Sequence, residues 1–207
     1  IAKLFYEYGF DGKEIAKATM KASYSMMKND GKKTNKEAFE EAFKAIVKEN
    51  ADKALEIFPE VYGDRYNSIK EVTSVNPYAE EIVSLMREKA EFIVVATQPM
   101  FPVEAVEKRL SWTNLSISQF DDVTIYDTST FSKPSTGYYK EIMEKFDAEP
   151  SNTVMLGNDV NEDILPCEKL GVETFLLTDG LINVQGHEIS HLRQGSYPDL
   201  IEYLKSL

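Results

Sequence analysis

Residues 152–163, Asn152-Thr-Val-Met-Leu-Gly-Asn-Asp-Val-Asn-Glu-Asp163, decide how the rest of the chain is read. Thr153 to Leu156 is a short apolar strand, Gly157 stops it, carboxylates follow, and a helix begins. An open α/β sheet places its ligand site where a strand's C-terminal end gives way to such a turn. Asp159 and Asp163 stand on either side of that turn. Two carboxylates brought together there repel each other unless a cation or a proton lies between them. Oxygen ligands beside a phosphate-bearing molecule suit Mg²⁺. A plainer alternative is that Asp159 or Asn161 only caps the following helix, a position both residue types favour.

Around this turn the chain alternates between strand and helix. Upstream, Asn76-Pro77 opens a helix with Pro in its first turn, and Ile82, Val83 and Met86 face inward. Phe92-Ile-Val-Val-Ala96 is a continuous apolar run, the pattern of a strand buried on both faces. Val103 to Leu110 is a helix, Val123-Thr-Ile-Tyr126 a short strand, and Ser135 to Phe146 a helix with an apolar side. Downstream, a helix from Asn161 to Leu170 stops at Gly171. Val172 to Leu177 is a strand, Thr178 to Ser196 reads as loop, and Pro198 to Leu207 is a closing helix. This alternation predicts an α/β fold with a doubly wound parallel sheet and helices on both faces.

Residues 1–75 read as all helix. Ile15, Ala18, Ala22 and Met26 recur at helical spacing, Asn29-Asp30-Gly31 breaks the run, and Thr34 or Asn35 can cap the next helix. Phe39, Phe43, Ile46 and Val47 form its stripe, and Phe58-Pro59 ends another helical piece. The many aromatics of this half have core periodicity. The expected division is therefore a helical domain, 1–75, and an α/β domain, 76–207.

A hydrophobic fraction of 43% supplies a real core, and the net charge of −12 speaks against a nucleic-acid partner, which calls for a basic stripe. No run approaches the roughly 18 apolar residues of a membrane span. The single cysteine, Cys167, excludes an internal disulfide and any cysteine-cluster metal site, and a cytoplasmic location is expected.

Two further strand ends carry polar residues. Thr97 offers a hydroxyl just past the Phe92–Ala96 run, followed by Gln98. Lys133-Pro134 lies just before a helix, where the proline biases Lys133 away from helical backbone. A hydroxyl, an ammonium and a carboxylate pair, in order at strand ends, are the parts a phosphoryl-transfer site needs.

From about residue 76 to 183 the chain resembles the haloacid dehalogenase (HAD) superfamily of hydrolases. Phe92-Ile-Val-Val-Ala-Thr97 is similar to its second motif, Lys133-Pro134 to its third, and Gly157-Asn-Asp-Val-Asn-Glu-Asp163 to its fourth. Thr97-Gln-Pro-Met-Phe-Pro102 is similar to the Thr-Asn-Pro-Leu-Phe-Pro run of a phosphatase-like branch. The resemblance implies a Rossmann-like core with residues 1–75 as a mobile helical cap, and Mg²⁺-dependent hydrolysis of a small phosphorylated substrate through an aspartyl-phosphate. It implies that Thr97 and the Gln98 amide bind phosphate, Lys133 steadies the nucleophile and the phosphoryl group, Asp159 ligates Mg²⁺, and Asp163 supports the metal directly or through water.

The family's first motif, Asp-x-Asp on a first strand, has no counterpart here. Phe10-Asp11-Gly12 is its nearest echo, without a preceding strand or a second Asp. Since that strand is central in the family's sheet, an N-terminal segment preceding Ile1 is expected in the gene product, and the chain alone is expected to be inactive. The alternative function is a non-catalytic phosphate- or partner-binding protein on the same fold. Finally, His187-Glu-Ile-Ser-His191 matches the zinc-hydrolase pattern His-Glu-x-x-His, but its polar, glycine-flanked setting reads as a surface loop. Neither the physiological substrate nor the oligomeric state is legible.

Overall fold

The computed structural model describes residues 1–207. Its helices are α1 (Ala2–Glu7), α2 (Gly12–Met27), α3 (Asn35–Val47), α4 (Ala51–Val61), α5 (Ala79–Lys89), α6 (Val103–Ser111), α7 (Thr136–Lys145), α8 (Leu165–Leu170) and α9 (Tyr197–Ser206). Its strands are β1 (Val94–Val95), β2 (Asp122–Val123), β3 (Val154–Gly157), β4 (Glu173–Leu177) and β5 (Gln194–Gly195). The chain divides into two compact units. One comprises Ile1–Val75, Ala96–Ser116 and Val123–Ser132; the other comprises Asn76–Val95, Ile117–Asp122 and Lys133–Leu207.

In the first unit, local capping and a shared apolar stripe set the helices. Asp11 accepts from the amides of Lys13 and Glu14 and starts α2. Thr34 caps α3 in a reciprocal arrangement with Glu37, so of the two capping candidates Thr34 is the cap. Phe5, Phe43, Ala22 and Ala54 are fully buried between the helices, and Phe58 meets Phe5, Phe39 and Phe43 in tilted or edge-on contacts. Pro59 does not end α4, which runs on to Val61. Lys108 donates to the carbonyls of Tyr62 and Gly63, and the Tyr66 ring packs on Trp112, which ties α6 to the end of the helical stretch.

In the second unit, β3, β4 and β5 form a parallel sheet in that order. Successive β4 side chains point to opposite faces. Phe175 joins Ile82 of α5 with Leu200, Ile201 and Leu204 of α9. Leu176 joins Val160, Ile164 and Leu192 on the other face. The sheet is thus covered on both sides, as a doubly wound α/β fold requires.

Further expectations need correction. Of the strand expected over Val123–Tyr126 only Val123 is β, as the end of β2. Phe92–Ala96 is not a strand buried on both faces: only Val94–Val95 is β, and Phe92 is 43% exposed beside Phe146. The segment from Thr178 to Ser196 is not all loop. Gln194–Gly195 adds β5 to the sheet, held by Leu176 N–H to Arg193 O and Thr178 N–H to Gly195 O, both at 2.9 Å. A strand made by backbone pairing of a polar dipeptide leaves no hydrophobic alternation to read.

Phe43→Ala removes the ring at the centre of the first unit, and a loss of about 3–5 kcal/mol is expected, as for other buried Phe truncations. Urea unfolding followed through Trp112, the chain's single tryptophan, measures it.

Candidate functional site

Gly157 ends β3, and Asp163 returns beneath it. The approach is so close that a Cβ at Gly157 would lie 2.5 Å from Asp163 Oδ2 and 2.6 Å from its Cγ. Only glycine leaves that space free. A wide turn over Val160–Ile164 makes the return possible: Asp163 N–H and Ile164 N–H both donate to Asp159 O, at 2.8 and 3.3 Å. Such five-residue turns concentrate at functional sites.

Asp163 Oδ2 accepts from the amides of Asn158 and Asp159, each at 3.1 Å. Its Oδ1 accepts from Lys133 Nζ at 2.6 Å, in an ion pair whose side chains are 7% (Lys133) and 9% (Asp163) exposed. A buried carboxylate is tolerated only when paired and hydrogen-bonded, and here both oxygens are engaged. Lys133 reaches it from a cis Lys133–Pro134 peptide, with its ammonium 5.8 Å from the centre of the Tyr138 ring.

Asp159 caps the turn. Its Oδ1 accepts from the amides of Asn161 and Glu162, both at 2.9 Å. The capping alternative is therefore true of Asp159, but it engages one oxygen only. Oδ2 takes no hydrogen bond, and the residue lines a cavity of about 130 Å³ with Asn161, Glu162, Ile182, Asn183, and His187. The backbone here is clamped from the β4–β5 connection: Val160 N–H donates to Ile182 O, Ile182 N–H to Asn158 O, and Asn158 Nδ2 to Gly180 O.

No three His, Cys, Asp or Glu side chains converge as a metal cage. Mg²⁺ does not need one, because it keeps waters and substrate oxygens and uses one or two carboxylates. Asp159 Oδ2 fits that demand, whereas Asp163 is engaged by Lys133 and the turn amides.

Lys133, Asp159 and Asp163 thus come together in the second unit. Thr97 and Gln98 belong to the first. There Thr97 is bound to Thr124: its amide donates to Thr124 Oγ1 and its hydroxyl to Thr124 O, both at 2.8 Å. A hydroxyl so used can meet an anion only by turning away from Thr124.

The model of haloacid dehalogenase-like hydrolases matches residues 1–171. The chain belongs to the haloacid dehalogenase-like hydrolase family. Among curated proteins it is 26% identical, over 69% of its length and 62% of the relative's, to glyceraldehyde 3-phosphate phosphatase of Methanocaldococcus jannaschii. It is 32% identical, over 32% of its length and 29% of the relative's, to the protein of the same name from Methanothermobacter thermautotrophicus. The chain therefore spans less than two thirds of either relative. Among solved structures, a putative HAD hydrolase of Bacillus subtilis bound to magnesium superposes with a TM-score of 0.54 at 17% identity, covering 93% of this chain and 81% of that one. At that identity the likeness is one of fold.

In this HAD-like hydrolase, Cys167 behaves as packing: burial, and next the nearby Asp163 charge, push its thiol up to about 12. Burial likewise pushes the Tyr139 phenol up, and its hydroxyl donates to Glu162 O at 2.6 Å, holding the wide turn from α7. The His-Glu-x-x-His segment is not helical, and its two imidazoles have separate partners. His187 Nε2 meets Gln185 Oε1 at 2.9 Å, while His191 lies near Glu188 and Glu168. The zinc reading needs both rings on one helix face and fails on that ground.

Asn158, Tyr139 and Ile182 escaped the sequence reading. Asn158 lies inside the quoted stretch and could have been suspected, but Tyr139 and Ile182 act through a hydroxyl and a backbone that no spacing marks. Gly157→Ala would force Asp163 from its seat. A loss of about 1–3 kcal/mol is expected, typical of overpacking, measured as a lower urea midpoint.

Proposed function

We propose that this chain forms the phosphate- and metal-binding part of a Mg²⁺-dependent phosphohydrolase that acts on small phosphomonoesters. The observation that carries the reading is the buried Lys133–Asp163 pair, fastened by the Asn158 and Asp159 amides beside a half-free Asp159 carboxylate. Lys133 would bind phosphoryl oxygens, and Asp163 holds its ammonium in place. Asp159 would hold Mg²⁺, which supplies charge neutralisation at the phosphate. Thr97 and the Gln98 amide would complete the phosphate contacts. Residues 1–75 would serve as a cap and 76–207 as the core, in a cytoplasmic protein. The curated relatives' names make triose phosphates the first substrates to assay.

The attacking group in this reading is an aspartate, forming an aspartyl-phosphate that water then hydrolyses. Asp11 is not that group, since it caps α2 with no strand before it. The second reading is a protein that binds phosphate or a phosphorylated partner without turnover.

Hydrolysis of p-nitrophenyl phosphate and glyceraldehyde 3-phosphate with Mg²⁺ separates the two. Turnover that falls about 10²–10³-fold in Asp159→Ala and in Lys133→Ala, the size of losing one electrostatic contact to the transition state, supports the enzyme. Phosphate binding without turnover by the full-length gene product supports the second reading. Turnover unchanged in both variants contradicts the site itself.

A further inference from the structure

Glu162 lies in the wide Val160–Ile164 turn, next to Asp163. In an α-helix its carbonyl would accept the amide four residues on. That residue is Pro166, which has no N–H to give. The Tyr139 hydroxyl stands in for it, donating to Glu162 O at 2.6 Å. The N–H of the same peptide, that of Asp163, donates to Asp159 O at 2.8 Å. The peptide that aims Asp163 is therefore held at both ends, and Tyr139 of α7 holds one of them.

Tyr139 is buried. Burial, and next the neighbouring Cys167 and Asp163, push its phenol up, so it keeps its proton and acts as a donor. Tyr138, fully buried beside it, meets it edge to face, with ring centres 4.9 Å apart and planes at 87°. Successive helical residues point about 100° apart, so the two rings serve different neighbours. The Lys133 ammonium stands over Tyr138, and the Tyr139 hydroxyl reaches the turn. The helix that follows Lys133 thus also fastens the turn that carries the lysine's partner. Packing accounts for both rings but not for the Tyr139 hydroxyl. A phenylalanine there would fill the same space and leave the Glu162 carbonyl without this donor.

We infer that Tyr139 is a positioning residue for the Lys133–Asp163 pair: its hydroxyl sets the peptide that aims the Asp163 carboxylate, and through that carboxylate the Lys133 ammonium. The inference rests on the phosphate-site reading above. By linkage, phosphate bound at Lys133 must in turn act on the Tyr139 hydrogen bond.

Titration with inorganic phosphate in the presence of Mg²⁺, on the wild-type protein and Tyr139→Phe, tests it. A Kd raised at least about tenfold is expected in a variant with a native far-ultraviolet spectrum; a tenfold change is about 1.4 kcal/mol. Pro166→Ala returns an amide to the Glu162 carbonyl, so Tyr139→Phe/Pro166→Ala is expected to recover most of the lost affinity. A hydroxyl that served stability alone would lower the urea midpoint and leave the Kd of the folded protein unchanged. A folded Tyr139→Phe that binds as the wild type does, or a loss that Pro166→Ala leaves in place, overturns the inference and leaves the phosphate site standing. No binding by the wild type overturns the phosphate site, and the inference with it. Should Tyr139→Phe not fold, the Tyr139 hydroxyl proton of the wild type decides by NMR. Its resonance is expected to move as phosphate binds, and an unmoved resonance overturns the inference.

Discussion

The ion pair between Lys133 and Asp163 is the constraint on which the site depends. Two opposite charges withdrawn from water are held only by close contact and full hydrogen bonding. Each surrounding feature meets that requirement. Gly157 removes a side chain so that Asp163 can sit against the backbone. The wide Val160–Ile164 turn aims the carboxylate backward. The Asn158 and Asp159 amides take its second oxygen, and the β4–β5 connection clamps the same peptides from outside. The result is an ammonium held in place by Asp163, whose other oxygen is fastened to the amides at the start of the turn.

The division of labour between the two acids follows from their surroundings. Both were candidate metal ligands on spacing alone. Asp163 is enclosed and fully engaged, so its chemistry is to orient Lys133. Asp159 lines a cavity and its Oδ2 takes no hydrogen bond. Capping and ligation had stood as rivals for Asp159; the structure shows the capping, through Oδ1, and leaves Oδ2 without a hydrogen bond.

Much of this was legible in the sequence because it was local. The apolar run 153–156, the stop at Gly157 and the acids after it gave β3 and the turn, and helical periodicity gave α2, α3, α7 and α9. What escaped is non-local. β5 exists only because Leu176 and Leu177 offer an edge to Gln194 and Gly195. β1 is short because the Phe92 side of its run faces solvent. Thr97 read as a hydroxyl offered to phosphate, yet it donates to the backbone carbonyl of Thr124, far along the chain. Asn35 read as a possible helix cap, whereas its amide links loops that follow it by more than sixty positions.

The most direct test of the site is crystallographic. Crystals soaked with tungstate, a phosphate mimic, and Mn²⁺ in place of Mg²⁺ would reveal both ions by anomalous scattering. The account predicts tungstate within hydrogen-bond distance of Lys133 Nζ and Mn²⁺ on Asp159 Oδ2, with Asp163 still fastened to the Asn158 and Asp159 amides. Tungstate and Mn²⁺ bound elsewhere, with the Lys133–Asp163 corner untouched by either, would contradict it.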